Sequence, residues 1–324
     1  MTDVAGTTSG AARLGMICAV GAALAFSLND MTIKFLSTGY PLHQIVLARS
    51  CVAFILVLAI IIPLDGGRAA LRTKRPGMHM LRGLFVVLAN SLFFMAIAAM
   101  PLADATAVFF VSPLVITVFS VFFLGESVGP RRWAAVAVGL VGVMVIVRPT
   151  SESFQVAALL SMASAVFYAL LHIFTRRLGV TEKASTMAIY IQAMFIVVSI
   201  AFGLIAGDGR FAPEDQPSLR FLLGPWVWPT QGDFAIMAAL GAFSAVGGYL
   251  ISQAYRVSEA GLIAPFEYVA LVMSIFWGYV VFSEVPDTFA ITGIALILAS
   301  GLYLAFREAQ LGKRPSARKA SSRR

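Results

Sequence analysis

Charge is scarce in this sequence. Only 12% of its 324 residues are Asp, Glu, Lys or Arg, where a soluble domain carries about a quarter, so a soluble globular fold is excluded. There are two cysteines, Cys18 and Cys51, each in an apolar run without a CxxC partner, which argues against a disulfide framework and a thiolate metal site. The three histidines, His43, His79 and His172, lie far apart and follow no metal-ligand spacing, and no nucleophile stands beside a base, so no metal, cofactor or enzymatic chemistry is expected. No P-loop is present, which leaves no ATP-driven engine. The net charge of +8 does not form a basic face; it is spread over short loops and a tail, so nucleic acid is not an expected partner.

What is abundant is apolar sequence, 59% of the chain. About 20 helical residues cross a bilayer core. Runs long enough for that, bounded by charge, Pro or Gly, lie at 14–36, 43–63, 79–100, 104–124, 131–148, 154–175, 185–206, 233–255, 261–282 and 288–306. The expected fold class is therefore an all-α integral membrane protein of ten transmembrane helices. With the N-terminus inside, nineteen of the twenty-four Lys and Arg fall on the inner side, among them seven from Arg307 onward. The positive-inside rule then puts both termini in the cytoplasm. The basic tail, 307–324, sets topology or touches anionic lipid. The connection from Gly207 to Asp233 holds Phe221, Leu222, Leu223, Trp226 and Trp228, and it reads as a loop resting on lipid headgroups more than as a gating lid.

Ten helices divide into two sets of five, 14–148 and 154–306. An odd number per set makes the second cross the membrane in the opposite sense, an inverted repeat. A constant offset of 158 aligns helices three to five with helices eight to ten without a gap, pairing Gly83 with Gly241, Glu126 with Glu284 and Phe109 with Glu267. Inverted repeats recur in secondary transporters, with the binding site near the midplane where the halves meet.

The polar residues at membrane depth are the candidate site. Glu267 stands within an apolar helix behind Pro265, where an ionised side chain costs roughly 2.5 to 3.5 kcal/mol, so it must face protein or a water-filled cavity. It is a candidate for carrying a proton or binding substrate, or else a protonated packing residue. Asp30 and Lys34 are four apart on one helix face and can pair. Arg49, at similar depth on the next helix, is a second partner for Asp30. This triad reads either as an anion-binding gate near the outer mouth or as an ion pair fixing helix one to helix two. Asn29, Asn90, Tyr168, His172, Gln192, Tyr249 and Tyr268 complete the candidates for lining a cavity suited to a flat, partly apolar ligand; interhelical hydrogen bonding is the alternative for each. Glu126 and Glu284, at helix ends, read as local caps. Gly139 with Gly142 and Gly247 with Gly248 read as close-packing points.

The apolar helix leading to Glu126 and then Ala-Val-Gly-Leu-Val-Gly-Val, echoed by Pro265-Phe266-Glu267-Tyr268, Phe282-Ser283-Glu284 and the Gly293 to Gly301 stretch, resembles the EamA-type drug/metabolite transporters over nearly the whole chain. That resemblance implies a bacterial inner-membrane carrier of small metabolites working by alternating access, by import or export, with a homodimer allowed. Phe26-Ser27-Leu28-Asn29-Asp30, Lys34, Gln44 and Arg49-Ser50 are similar to the subgroup associated with uptake of riboflavin or S-adenosylmethionine-like cofactors. Export of amino acids is the alternative that the family leaves open.

Overall fold

A computed structural model describes residues 4–64, 67, 73, 75–125, 128–148, 156–178, 184–213, 215–257 and 260–312. Glu126 and residues 313–324 of the basic tail lie outside these. Ten helical segments among the described residues are long and apolar enough to cross a membrane. The first half comprises α1 (Val4–Leu36), α2 (Leu42–Leu56), α3 (Ile62–Leu64), α4 (Pro76–Ala99), α5 (Leu102–Phe109), α6 (Ser112–Leu124) and α7 (Pro130–Val147). The second half comprises α8 (Val156–Leu178), α9 (Ala184–Ala206), α10 (Pro217–Leu223), α11 (Gln231–Val257), α12 (Ala260–Glu267), α13 (Val269–Phe282) and α14 (Thr288–Gly312). A π turn at Val57–Ile61 joins α2 to α3. Pro63 cannot donate to the carbonyl four residues back, and the ladder widens just ahead of it.

Spans four and nine are each broken, and the breaks are in register. α5 and α12 are both eight residues long, they end at Phe109 and Glu267, and 267 less 109 is the offset of 158 found in the sequence. The same offset carries Leu124 to Phe282 at the ends of α6 and α13, and Pro130 to Thr288 at the starts of α7 and α14. Even the caps correspond. Gly125 and Ser283 both turn left-handed, at φ 68° and 56°, a conformation that glycine adopts freely and serine only at a cost. Helix packing follows the same exchange: α1 lies on α11 as α8 lies on α4, while α7 packs on α14 and α2 on α9.

Glycines let the last helices of the two halves meet. A Cβ on Gly142 would come 2.9 Å from the Gly293 carbonyl oxygen, and one on Gly293 would come 2.7 Å from that of Gly142. Backbone cannot yield as a side chain can. Gly142→Ala is therefore expected to destabilise the protein by about 1 to 3 kcal/mol, read as a lower Tm in detergent. Gly248→Ala is expected to leave Tm unchanged, because nothing lies within 4 Å of its Cβ position. Close packing thus holds for Gly247, which faces Phe26 and Ala25, and not for its neighbour.

The long connection does more than rest on headgroups. Gln44 on α2 forms a two-point pair with the Val227 backbone, its amide nitrogen donating to the carbonyl at 2.5 Å and its oxygen accepting from the N–H at 3.0 Å. Ser218 donates to the Met95 carbonyl at 2.9 Å, Tyr40 to Asp233 at 2.7 Å, and Phe221 is buried. Trp226 and Trp228, 42% and 88% exposed, keep the interfacial position expected of the whole segment.

Candidate functional site

The anticipated charge triad is divided between two places. Lys34 turns away from Asp30 and forms an ion pair with Glu284, Nζ to Oε1 at 2.7 Å. It also donates to the Met100 carbonyl at 2.6 Å. Glu284 Oε2 in turn accepts the Leu102 N–H at 2.9 Å, capping the first turn of α5, where the helix dipole favours a carboxylate. Glu284 is thus no local cap: it ties the end of span nine to spans one, three and four. The Lys34 and Glu284 side chains are 11% and 23% exposed, so the pair is largely desolvated.

Asp104, buried in the first turn of α5, adds a further negative charge within electrostatic range of Lys34. Arg148, at the end of the first half, grips both oxygens of Asp287 at the start of α14. Asp287 also accepts the Ala290 N–H at 2.8 Å. The guanidinium beside it holds the Asp287 carboxyl below its ordinary range, as the backbone bond does to a lesser degree. Two ion pairs between the halves therefore close one end of the bundle.

Arg49 and Asp30 form the second group. Arg49 is 3% exposed, and its guanidinium carbon lies 4.8 Å from the Phe195 ring centre and 5.3 Å from that of Phe94. It reaches Asp30 through the Asn29 amide: Arg49 Nη1 to Asn29 Oδ1 is 3.5 Å, and Asn29 Nδ2 to Asp30 Oδ1 is 3.1 Å. Arg49 Nε has no hydrogen-bond partner among the described residues. A buried guanidinium edge of this kind suits a planar acceptor such as a carboxylate or an imide.

The third group surrounds the two helix breaks. Phe109, the last residue of α5, stands edge-on to Tyr168 at 5.2 Å, and the Tyr168 and His172 rings lie tilted at 4.5 Å. Phe110 lies 4.9 Å from Tyr268, whose buried hydroxyl is pressed toward Gly301 and has no partner among the described residues. Glu267 is partly buried and within electrostatic range of both the Tyr168 and Tyr268 hydroxyls. Rings and one carboxylate thus meet where backbone ladders are interrupted, the arrangement that lets a membrane-embedded site present polar groups. Phe93 and Phe94, adjacent on α4, connect this group to Arg49, Phe93 contacting Phe109 and Phe94 lying beneath the guanidinium.

The remaining candidates are not gathered there by any contact. Asn90 donates to the Val86 carbonyl one turn back at 3.0 Å, and Tyr249 accepts from Gln253 at 2.7 Å on an exposed part of α11. Gln192 is buried on α9 with its Oε1 unpartnered among the described residues.

The two ends of the bundle differ. α5 packs against α13 at the end closed by the ion pairs, but among the described residues their counterparts α6 and α12 make no comparable contact at the other end.

The EamA-like transporter family profile matches residues 13–148. A riboflavin transporter of Rhizobium johnstonii is 28% identical over 307 residues, covering 94% of this chain and 95% of its own. An S-adenosylmethionine uptake transporter of Rickettsia bellii is 27% identical over 282 residues, covering 87% and 90%. A pseudopaline exporter of Pseudomonas aeruginosa is 28% identical over 296 residues, covering 90% and 96%. A solved crystal structure superposes with a TM-score of 0.61 at 22% identity, covering 92% of this chain and 98% of that one, which shows a shared fold. The first five spans thus match the EamA-like transporter family, and nearly the whole length is similar to carriers of small metabolites.

Proposed function

We propose that this protein is a secondary transporter that carries a flat, vitamin- or cofactor-like metabolite across the bacterial cytoplasmic membrane by alternating access. The supporting observation is the difference between the two ends: α5 lies against α13 beneath the Lys34–Glu284 and Arg148–Asp287 pairs, while among the described residues α6 and α12 make no comparable contact. The distribution of basic residues puts both termini in the cytoplasm, so the closed end is periplasmic and the open end inward. Phe109, Tyr168, His172 and Tyr268 supply ring surface for a heteroaromatic ligand, Glu267 a hydrogen-bond or proton partner, and Arg49 a buried donor, its Nε.

Riboflavin and S-adenosylmethionine, the compounds named for two of the relatives, rank first. A second reading, export, rests on the pseudopaline exporter among the relatives. Accumulation in proteoliposomes tests both. Saturable uptake of riboflavin, by fluorescence, or of labelled S-adenosylmethionine is expected, with Arg49→Ala weakening binding by about tenfold, the loss of one charge-assisted hydrogen bond. Movement of neither compound in either direction would remove this substrate class. A compound altered but not moved would point to an enzyme instead.

A further inference from the structure

The end of the bundle opposite the ion pairs holds a cavity of about 380 Å³ lined by Gly129, Pro130, Arg131, Arg132 and Arg307. Its position follows from the crossing of α7 and α14. The two helices touch at Gly142 and Gly293, and a Cβ on Gly139 would come 2.8 Å from Ser300 Oγ. Beyond that contact the start of α7 and the end of α14 leave space between them. Arginines from the final helices of both halves thus line one space. α7 has no acidic residue in its first turn, and its N-cap Gly129 supplies no side-chain hydrogen bond.

The surroundings are those of a membrane surface. Trp133, immediately after the arginines, is 41% exposed and Phe306, immediately before Arg307, is 58% exposed. Tyr303, Leu140, Val141 and Met144 are exposed further along the same two helices. An arginine cluster next to a band of exposed aromatic and aliphatic side chains lies where hydrocarbon gives way to headgroups.

The geometry points to this cavity as a binding site for the phosphate headgroup of an anionic phospholipid, with the acyl chains lying along the exposed faces of α7 and α14. The phosphodiester takes the arginine guanidinium groups. Bridging the last helix of each half, the lipid joins the repeats at the end opposite the Lys34–Glu284 and Arg148–Asp287 pairs, independently of which metabolite is carried.

Native mass spectrometry of the full-length protein, in detergent with equimolar phosphatidylglycerol and phosphatidylcholine, tests this. Wild type is expected to retain phosphatidylglycerol in preference by roughly tenfold. Arg131→Gln, Arg132→Gln and Arg307→Gln combined should abolish the preference, and Arg307→Gln alone, the variant to use should the triple not stay monodisperse, should reduce it by roughly threefold. A tail variant with the same loss of charge, Arg314→Gln, Arg318→Gln and Arg323→Gln, should keep it. An undiminished preference in the cavity variants, or an equal loss in the tail variant, overturns the site. Displacement of the lipid by excess inorganic phosphate, with equal thermal stabilisation by phosphate alone, would make this a soluble-anion site and likewise overturn the lipid assignment.

Discussion

Lys34→Met is expected to open the closed end of the bundle. Without its ammonium, the Glu284 carboxylate, largely buried, keeps only the Leu102 N–H, and the Met100 carbonyl loses its donor. Removing one partner of a fully buried ion pair costs about 3 to 5 kcal/mol; with the residual exposure of these two side chains, about 2 kcal/mol is the expected loss. Such a loss falls only on the state in which Lys34 and Glu284 meet, so it shifts the population between the two states by roughly 30-fold. The measurement is labelling of a cysteine placed at Met100, with Cys18 and Cys51 replaced, by an impermeant maleimide added from that side. Wild type should be protected and Lys34→Met labelled at least about tenfold faster. The exchange Lys34→Glu with Glu284→Lys should recover part of the protection. Equal labelling of wild type and Lys34→Met would mean that the pair does not hold this end shut.

Glu267→Gln is expected to remove the pH dependence of transport. Glutamine preserves the size and much of the hydrogen bonding of the side chain but cannot exchange a proton. Glu267 ends α12 beside two tyrosine hydroxyls, at a break that recurs in the first half with phenylalanine in its place. The corresponding break in the first half therefore carries no carboxylate. Uptake that rises toward acid pH in wild type should become flat between pH 5 and 8 in Glu267→Gln, at a rate about tenfold or more below the wild-type maximum, while Glu267→Asp keeps the slope. A variant that retained the wild-type profile over that range would leave Glu267 as a packing or ligand-binding residue only.

The architecture could be read from the sequence because hydrocarbon imposes it. Each of the ten apolar runs is a span, and the offset of 158 lands on the break at Phe109 and Glu267. The place of the second break was less legible. Pro265, which cannot donate to the helix ladder, is tolerated inside α12, and the helix yields at Tyr268. Partner choice was not legible at all. The four-residue spacing of Asp30 and Lys34 allowed a pair, but spacing on one helix carries no information about Glu284, 250 positions away, which wins Lys34 by adding the Met100 carbonyl and the start of α5 to the same network. Asp104 was missed because it stands at the first position of an apolar run, where an acid looks like the end of a loop. Arg82, counted among the basic residues of the inner loop, is buried within α4.

The matched breaks in spans four and nine make this one conformation a template for its opposite. α5 and α12 are equal in length, and α6 and α13 end in the same left-handed turn. Exchanging the roles of the two halves would bring α6 onto α12 as α5 now lies on α13, with no helix melted and no strand or loop refolded. The cycle is then a swap of environments between two copies of one part. Its energetic cost lies in side chains that the copies do not share, Glu267 against Phe109 foremost among them.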